Sequence, residues 1–159
     1  MRIWIDADAC PSDVREIVYG AAGRAGLAVT LVACQRMRVP EEEGIRLLLV
    51  PEGEDAADNR IAEACDAGDL VVTADIPLAA RIVEKGATGL DPRGELYTEA
   101  NVRERLSMRN FMEEMRFAGL AEGGPAARSD GDTRRFANAL DRFLARQGGG
   151  PARDARPAP

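Results

Sequence analysis

The chain contains no histidine. That absence excludes the Ser-His-Asp and Cys-His nucleophile systems and every zinc site with a histidine ligand. Lysine is nearly missing too: of 21 basic residues only Lys85 is a lysine, and the other 20 are arginines. Chemistry built on a P-loop lysine or a Schiff base has one candidate, with no glycine-rich phosphate loop before it. The three cysteines, Cys10, Cys34 and Cys65, lie far apart without a CxxC pair, so neither a disulfide framework nor a zinc ribbon is expected. No stretch approaches the roughly 20 apolar residues of a membrane span. The opening MRIWIDADAC is charged and lacks a long apolar core, so it does not read as a signal peptide. The expectation is a soluble protein of the reducing cytoplasm, with no membrane partner.

What the chain has in quantity is carboxylate. There are 27 Asp and Glu residues, and acids without histidine point to a hard metal ion as the chemical partner. A length of 159 residues with 45% hydrophobic content suits one globular domain with a sizeable core. The net charge of −6 argues against a wholly basic nucleic-acid binder, but the charge is unevenly laid out. Residues 41–75 hold eleven acids against Arg46 and Arg60, whereas 128–146 hold five arginines against three aspartates. An acidic middle and an arginine-bearing C-terminal part suit a cation site beside a phosphate-binding rim. A plain solvated surface is the alternative reading of such runs.

Short apolar runs alternate with helical patterns, which predicts an α/β fold with a mainly parallel sheet. Ile3-Trp4-Ile5 reads as a first strand and Pro11 as a helix start, with Val14, Ile17, Val18 and Ala21 at helical spacing up to Gly26. Leu27 to Ala33 and Ile45 to Val50 read as the second and third strands. Asp55 is placed as the cap of a helix carrying Ile61, Ala62 and Cys65, closed by Gly68. Leu70 to Thr73 is the fourth strand, Ile76-Pro77 opens another helix, and a short fifth strand falls near Ala87 to Leu90. Further helices are expected to about Phe117 with Asn101 as the cap and from Thr133 to Arg146, with a Gly123-Gly124-Pro125 loop between them.

Sites in parallel α/β sheets form outside the carboxyl ends of the strands. Asp6 and Asp8 follow the first strand, Asp75 follows the fourth, and Asp55 and Asp58 open the helix after the third. Alternation along an extended strand sets Asp6 and Asp8 on one side. Carboxylates this close repel one another unless a cation such as Mg2+ or Mn2+ joins them. Each acid also has a structural reading: Asp55 and Asp8 as helix caps, Asp58 as a first-turn dipole partner. Thr73 reads as a site hydroxyl or a strand former, and Ser12 as a site hydroxyl or a helix-start residue. Cys10 reads as a small buried packing residue, and Met108, Phe111, Met112, Met115 and Phe117 as core. Arg103, Arg109, Arg134 and Arg135 are candidate phosphate ligands, with surface charge as the plain alternative.

The segment Ile5-Asp6-Ala7-Asp8-Ala9-Cys10-Pro11 resembles the opening of the uncharacterised bacterial YaiI/YqxD family. The resemblance continues through Asp55-Ala56-Ala57-Asp58-Asn59, Asp69 to Leu78, Asp91 to Thr98, Arg109-Asn110-Phe111-Met112 and Phe136 to Asp141, nearly the whole chain. It implies a PIN-like, Rossmann-type three-layer α/β/α domain over 1–147; residues 148–159, Gly/Pro/Ala-rich and without apolar periodicity, read as a disordered tail. It also implies a Mg2+- or Mn2+-dependent ribonuclease site. Asp6, Asp58 and Asp75 match the PIN acids, Asp8 is an extra acid of this family's own, and Asp91 matches either the last PIN acid or a turn residue before Pro92. Nucleic acid, RNA before DNA, is the expected partner, and such domains also pair with copies of themselves or with other proteins. A catalytically silent binding module is the competing reading. A phosphohydrolase of the haloacid dehalogenase type, suggested by Asp6-Ala7-Asp8, ranks third because residue 10 is Cys and Lys85 follows Asp75 on a helix.

Overall fold

The predicted strands are apolar, and the computed structural model buries the first, second and fourth on both faces while the third, at the sheet edge, stays partly exposed. The structure describes residues 1–124 and 126–147; Pro125 and the expected tail lie outside the described residues. Six strands form one sheet: β1 (Ile3–Asp6), β2 (Val29–Ala33), β3 (Ile45–Leu49), β4 (Leu70–Val72), β5 (Thr88–Leu90) and β6 (Leu96–Tyr97). Their order is β3-β2-β1-β4-β5-β6, and every neighbouring pair is parallel except β5 with β6. The helices are α1 (Ser12–Ala25), α2 (Ala56–Ala64), α3 (Ile76–Glu84), α4 (Val102–Phe117) and α5 (Asp130–Arg146).

The pleat divides the core into two halves. Ile3, Ile5, Val29 and Leu31 face Val14 and Val18 of α1 and Phe136 and Leu140 of α5. Trp4, Val32 and Val71 face Ile61 of α2, Leu78 and Ile82 of α3 and Val102 at the start of α4. This is a three-layer α/β/α domain. The chain builds outward from β1 to β3, then returns to the other side of β1 and builds β4 to β6. Because parallel crossovers keep one hand, that reversal puts α1 on one face and α2 and α3 on the other. It also opens a crevice between the carboxyl ends of β1 and β4, where the two sets of loops diverge.

Local chemistry sets the element ends. Gly26 takes a left-handed conformation (φ 67°) and stops α1, its N–H donating to Ala22 and Gly23 carbonyls. Ser129 and Asp132 form a reciprocal capping box at α5, three residues before the expected start. At the amino edge of the sheet, the buried Asp69 carboxylate accepts from Arg2 N–H (2.9 Å), Trp4 Nε1 (3.0 Å) and Asp66 N–H (2.9 Å). Those bonds fasten the start of β1 to the start of β4.

Three expectations are corrected. Asp55 precedes α2 but makes no capping bond, because its backbone is left-handed (φ 60°). Asn101 likewise does not cap α4: its Oδ1 accepts from Thr98 N–H and its Nδ2 donates to the Leu96 carbonyl, closing the turn before the helix. Met108, Phe111, Met112 and Phe117 are exposed rather than core, since only Val102 of α4 is buried.

Candidate active site

Asp6 is the last residue of β1, and alternation places it on the Trp4 side of the sheet, under α2 and α3. Thr73 follows β4 directly and is buried. Its hydroxyl donates to Asp6 Oδ2 (3.1 Å) and accepts from Asp75 N–H (3.0 Å), so one side chain fixes both acid-bearing segments. Asp75 caps α3, accepting from Leu78 N–H at 2.9 Å. Asp58, in the first turn of α2, lies next to Asp75. Arg81 Nη1 donates to Asn59 Oδ1 (2.8 Å) and braces α3 against that turn of α2.

Close carboxylates disfavour one another's charged form. The Asp58 carboxyl is raised to about 7, by burial first, then by the neighbouring Asp75 carboxyl and the charges of Asp6 and Asp55. Burial also raises Asp6, opposed by the Thr73 hydrogen bond and reinforced by Asp75 and Asp8. Three aspartates from β1, α2 and α3 thus converge on the crevice with too few donors to solvate their charge.

The remaining candidates are distributed more widely. The chain turns into a single 3-10 turn at Ala7–Ala9, so strand alternation does not place Asp8, although its charge still acts on Asp6. Asp8 is exposed and accepts from Cys34 N–H at 2.8 Å, tying the end of β1 to the end of β2. Ser12 is exposed at the first position of α1. Asp91 shapes the β5–β6 hairpin, its carboxylate accepting from Arg93 N–H (2.6 Å) and the Tyr97 hydroxyl (3.2 Å). Cys10 is buried and its thiol is pushed up to about 12 by that burial, which suits a packing residue and not a nucleophile.

A cleft of about 380 Å3 lies beside the acids, lined by Ala9 and Pro11 after β1, Ala74 and Ile76 around Asp75, and Asp91, Pro92 and Tyr97 of the hairpin. Two arginines complete its wall, Arg93 and Arg128. Arg93 pairs with Asp132 (3.6 Å), while Arg128 binds Asp13 and Thr133 and leaves its buried Nε without a partner. None of the four arginines singled out from sequence lines this cleft. Arg103 and Arg109 ride on α4, Arg134 and Arg135 on α5. The signal for Arg93 was its place between Pro92 and Gly94 in a hairpin that closes on the sheet edge.

Fold and site together define an α/β/α domain with an aspartate cluster at its topological switch point. The family described as "Uncharacterized BCR, YaiI/YqxD family" matches residues 4–146, and the chain belongs to it. A UPF0178 protein of Syntrophotalea carbinolica is 57% identical over 146 residues, spanning 92% of this chain and 99% of that one. A UPF0178 protein of Maridesulfovibrio salexigens is 58% identical over 146 residues, spanning 92% and 97%. No solved structure matches the chain.

Proposed function

We propose that the chain is a divalent-metal-dependent nuclease with a PIN-like fold, hydrolysing phosphodiester bonds in RNA in preference to DNA. The observation that carries this reading is the meeting of Asp6, Asp58 and Asp75 at the switch-point crevice, with Thr73 bridging Asp6 and Asp75 and the Asp58 carboxyl raised by its surroundings. Among the described residues, no three acidic or thiol side chains surround one point as ready-made ligands. The donor chemistry nevertheless fits Mg2+ or Mn2+, which take oxygen ligands and in phosphoryl-transfer sites commonly use one or two carboxylates completed by water and substrate phosphate. Asp58 and Asp75, with Asp6, would hold the ion, and Asp8 would support the rim from its bond to Cys34.

When bound, the ion lowers the pKa of a coordinated water and offsets charge on the phosphoryl oxygens. The chain's own groups supply position. Thr73 holds Asp6 and Asp75 in register through one hydroxyl, and Leu78 N–H orients Asp75. Arg93 and Arg128 place positive charge on the wall of the neighbouring cleft, where a backbone phosphate would enter without sequence being read. No side-chain nucleophile is required, consistent with the missing histidines and the buried Cys10.

The test is metal-dependent cleavage of single-stranded RNA by wild type and by Asp75→Asn. Asn keeps the α3 cap, so folding should be preserved while cleavage is lost. Full activity in that variant would overturn the assignment. A second reading, a binding module without catalysis, is favoured by the structural bonds of two of the acids: Asp75 caps α3 and Asp8 closes on Cys34 N–H. RNA binding indifferent to magnesium and to Asp6→Asn would select it.

A further inference from the structure

Only the first residue of α4 is buried, although the helix runs for sixteen residues. At 1.5 Å per residue it extends about 24 Å. A helix of that length is marginal in water unless packing covers one of its faces. Leu106, one turn after Val102, is half-buried, and beyond it the helix leaves the body of the domain. Its free side is not polar. Met108 is 53% exposed, Phe111 53% and Met112 37%. With Met115 they fall in a stripe about 100° wide on the side away from Val102 and Leu106.

The end of the helix extends that stripe. Gly119 is left-handed (φ 75°), its N–H donates to Arg116 O, and Leu120 N–H donates to Met115 O, a Schellman turn. Leu120, 71% exposed, is thereby returned to the Met115 end. No charged residue interrupts the stripe from Met108 through Phe111 and Met112 to Met115. On its flank, Arg109 is neutralised by Glu113 of the same helix at 2.6 Å.

We infer that this stripe is the contact between two copies of the chain, packed as antiparallel α4 helices about a two-fold axis beside Phe111 and Met112. The spacing is close to symmetric about that point: Met108 precedes Phe111 by three residues, and Met115 follows Met112 by three. In the pair, Phe111 and Met112 each meet their own counterparts, and Met108 meets Met115 of the second copy, as a self-complementary contact requires. The exposed parts of Met108, Phe111, Met112 and Leu120 amount to about 400 Å2 at roughly 200 Å2 per full side chain. A standard homodimer interface needs about 500 Å2 of apolar surface from each partner, so the stripe supplies most of it.

Sedimentation equilibrium of the full chain should give twice 17.1 kDa at micromolar concentration. Met108→Glu and Phe111→Glu should each weaken association by about 30-fold or more, as central apolar anchors do. Phe117→Ser should leave it unchanged, since Phe117 points away from the stripe. Register is tested by oxidation in a Cys34→Ser background: Met112→Cys should form a disulfide-linked dimer and Leu120→Cys should not. A wild type that stays monomeric at 100 µM, on the order of the weakest specific contacts, would overturn the inference. So would cross-linking through Leu120→Cys, which needs parallel helices, or dissociation by Phe117→Ser alone.

Discussion

Replacing Asp58 with Asn tests whether the acid pair is strained. In the folded protein the Asp58 carboxyl is raised to about 7, against its ordinary 3.8. Between those values the folded state holds a proton that the unfolded state has released, so stability falls as pH rises from about 4 to 7 and does not recover above that. At about 1.4 kcal/mol per tenfold change, the full displacement corresponds to about 4 kcal/mol. Water around this half-exposed side chain screens that to about 1–2 kcal/mol. Asn carries no charge at any pH, so Asp58→Asn should gain about 1–2 kcal/mol over wild type at pH 8 and little at pH 4. The midpoint shift should be about 3–6 °C for a chain of this size. The assay is urea denaturation in EDTA at pH 4, 6 and 8, followed by the same series with manganese. Manganese at pH 8 should stabilise wild type, and the Asn variant clearly less. Parallel pH profiles for the two proteins would refute the raised Asp58 carboxyl, and equal stabilisation by manganese would move any ion away from the pair.

Three further outcomes follow from the packing. Asp69→Ala should destabilise by about 3 kcal/mol or more, because the Arg2, Trp4 and Asp66 donors at the amino edge lose their acceptor; chemical denaturation at pH 7 measures it. Gly94→Ala should cost about 2–4 kcal/mol, since a methyl group there would lie 2.6 Å from the Arg135 carbonyl carbon on a backbone with φ 95°. A Gly94→Ala protein as stable as wild type would mean that the hairpin is free to move off α5. Cys10 should resist maleimide at pH 8 in the folded protein and react only on unfolding, because burial pushes its thiol up to about 12; mass spectrometry of the labelled peptides reads this directly.

The acids that meet were legible because parallel topology is a strong constraint. Once Ile3-Trp4-Ile5 and Leu70 to Thr73 are read as neighbouring strands, Asp6 and Asp75 must share an edge, and the helix before β4 must bring Asp58 over it. Asp8 escaped that logic because the chain leaves the extended state immediately after β1, and a two-residue alternation has no meaning in a 3-10 turn. The β6 strand, two residues long and antiparallel, is too short to show a period. The misreading of α4 has a different origin. Apolar residues at helical spacing record that one face avoids water, and Met108 to Met115 satisfy that pattern equally well against a core or against another molecule. Arg93 and Arg128 reach the cleft through the hairpin and the loop before α5, long-range placements that local sequence does not encode.

The two edges of the sheet treat the same side chain in opposite ways, and this is the strongest argument for function at the carboxyl edge. Asp69 is fully buried, yet its carboxylate is met by two backbone N–H groups and the indole of Trp4, with the Arg2 guanidinium adjacent at 3.5 Å. A fold able to satisfy a buried acid so completely is not short of means. At the other edge, burial and neighbouring carboxylates raise both Asp6 and Asp58, and Asp6 has only the Thr73 hydroxyl to oppose them. Neutral amides at these positions would relieve the repulsion with almost no change in shape. Acids placed where they oppose stability are what the proposed ion site requires, at the expense of the free protein.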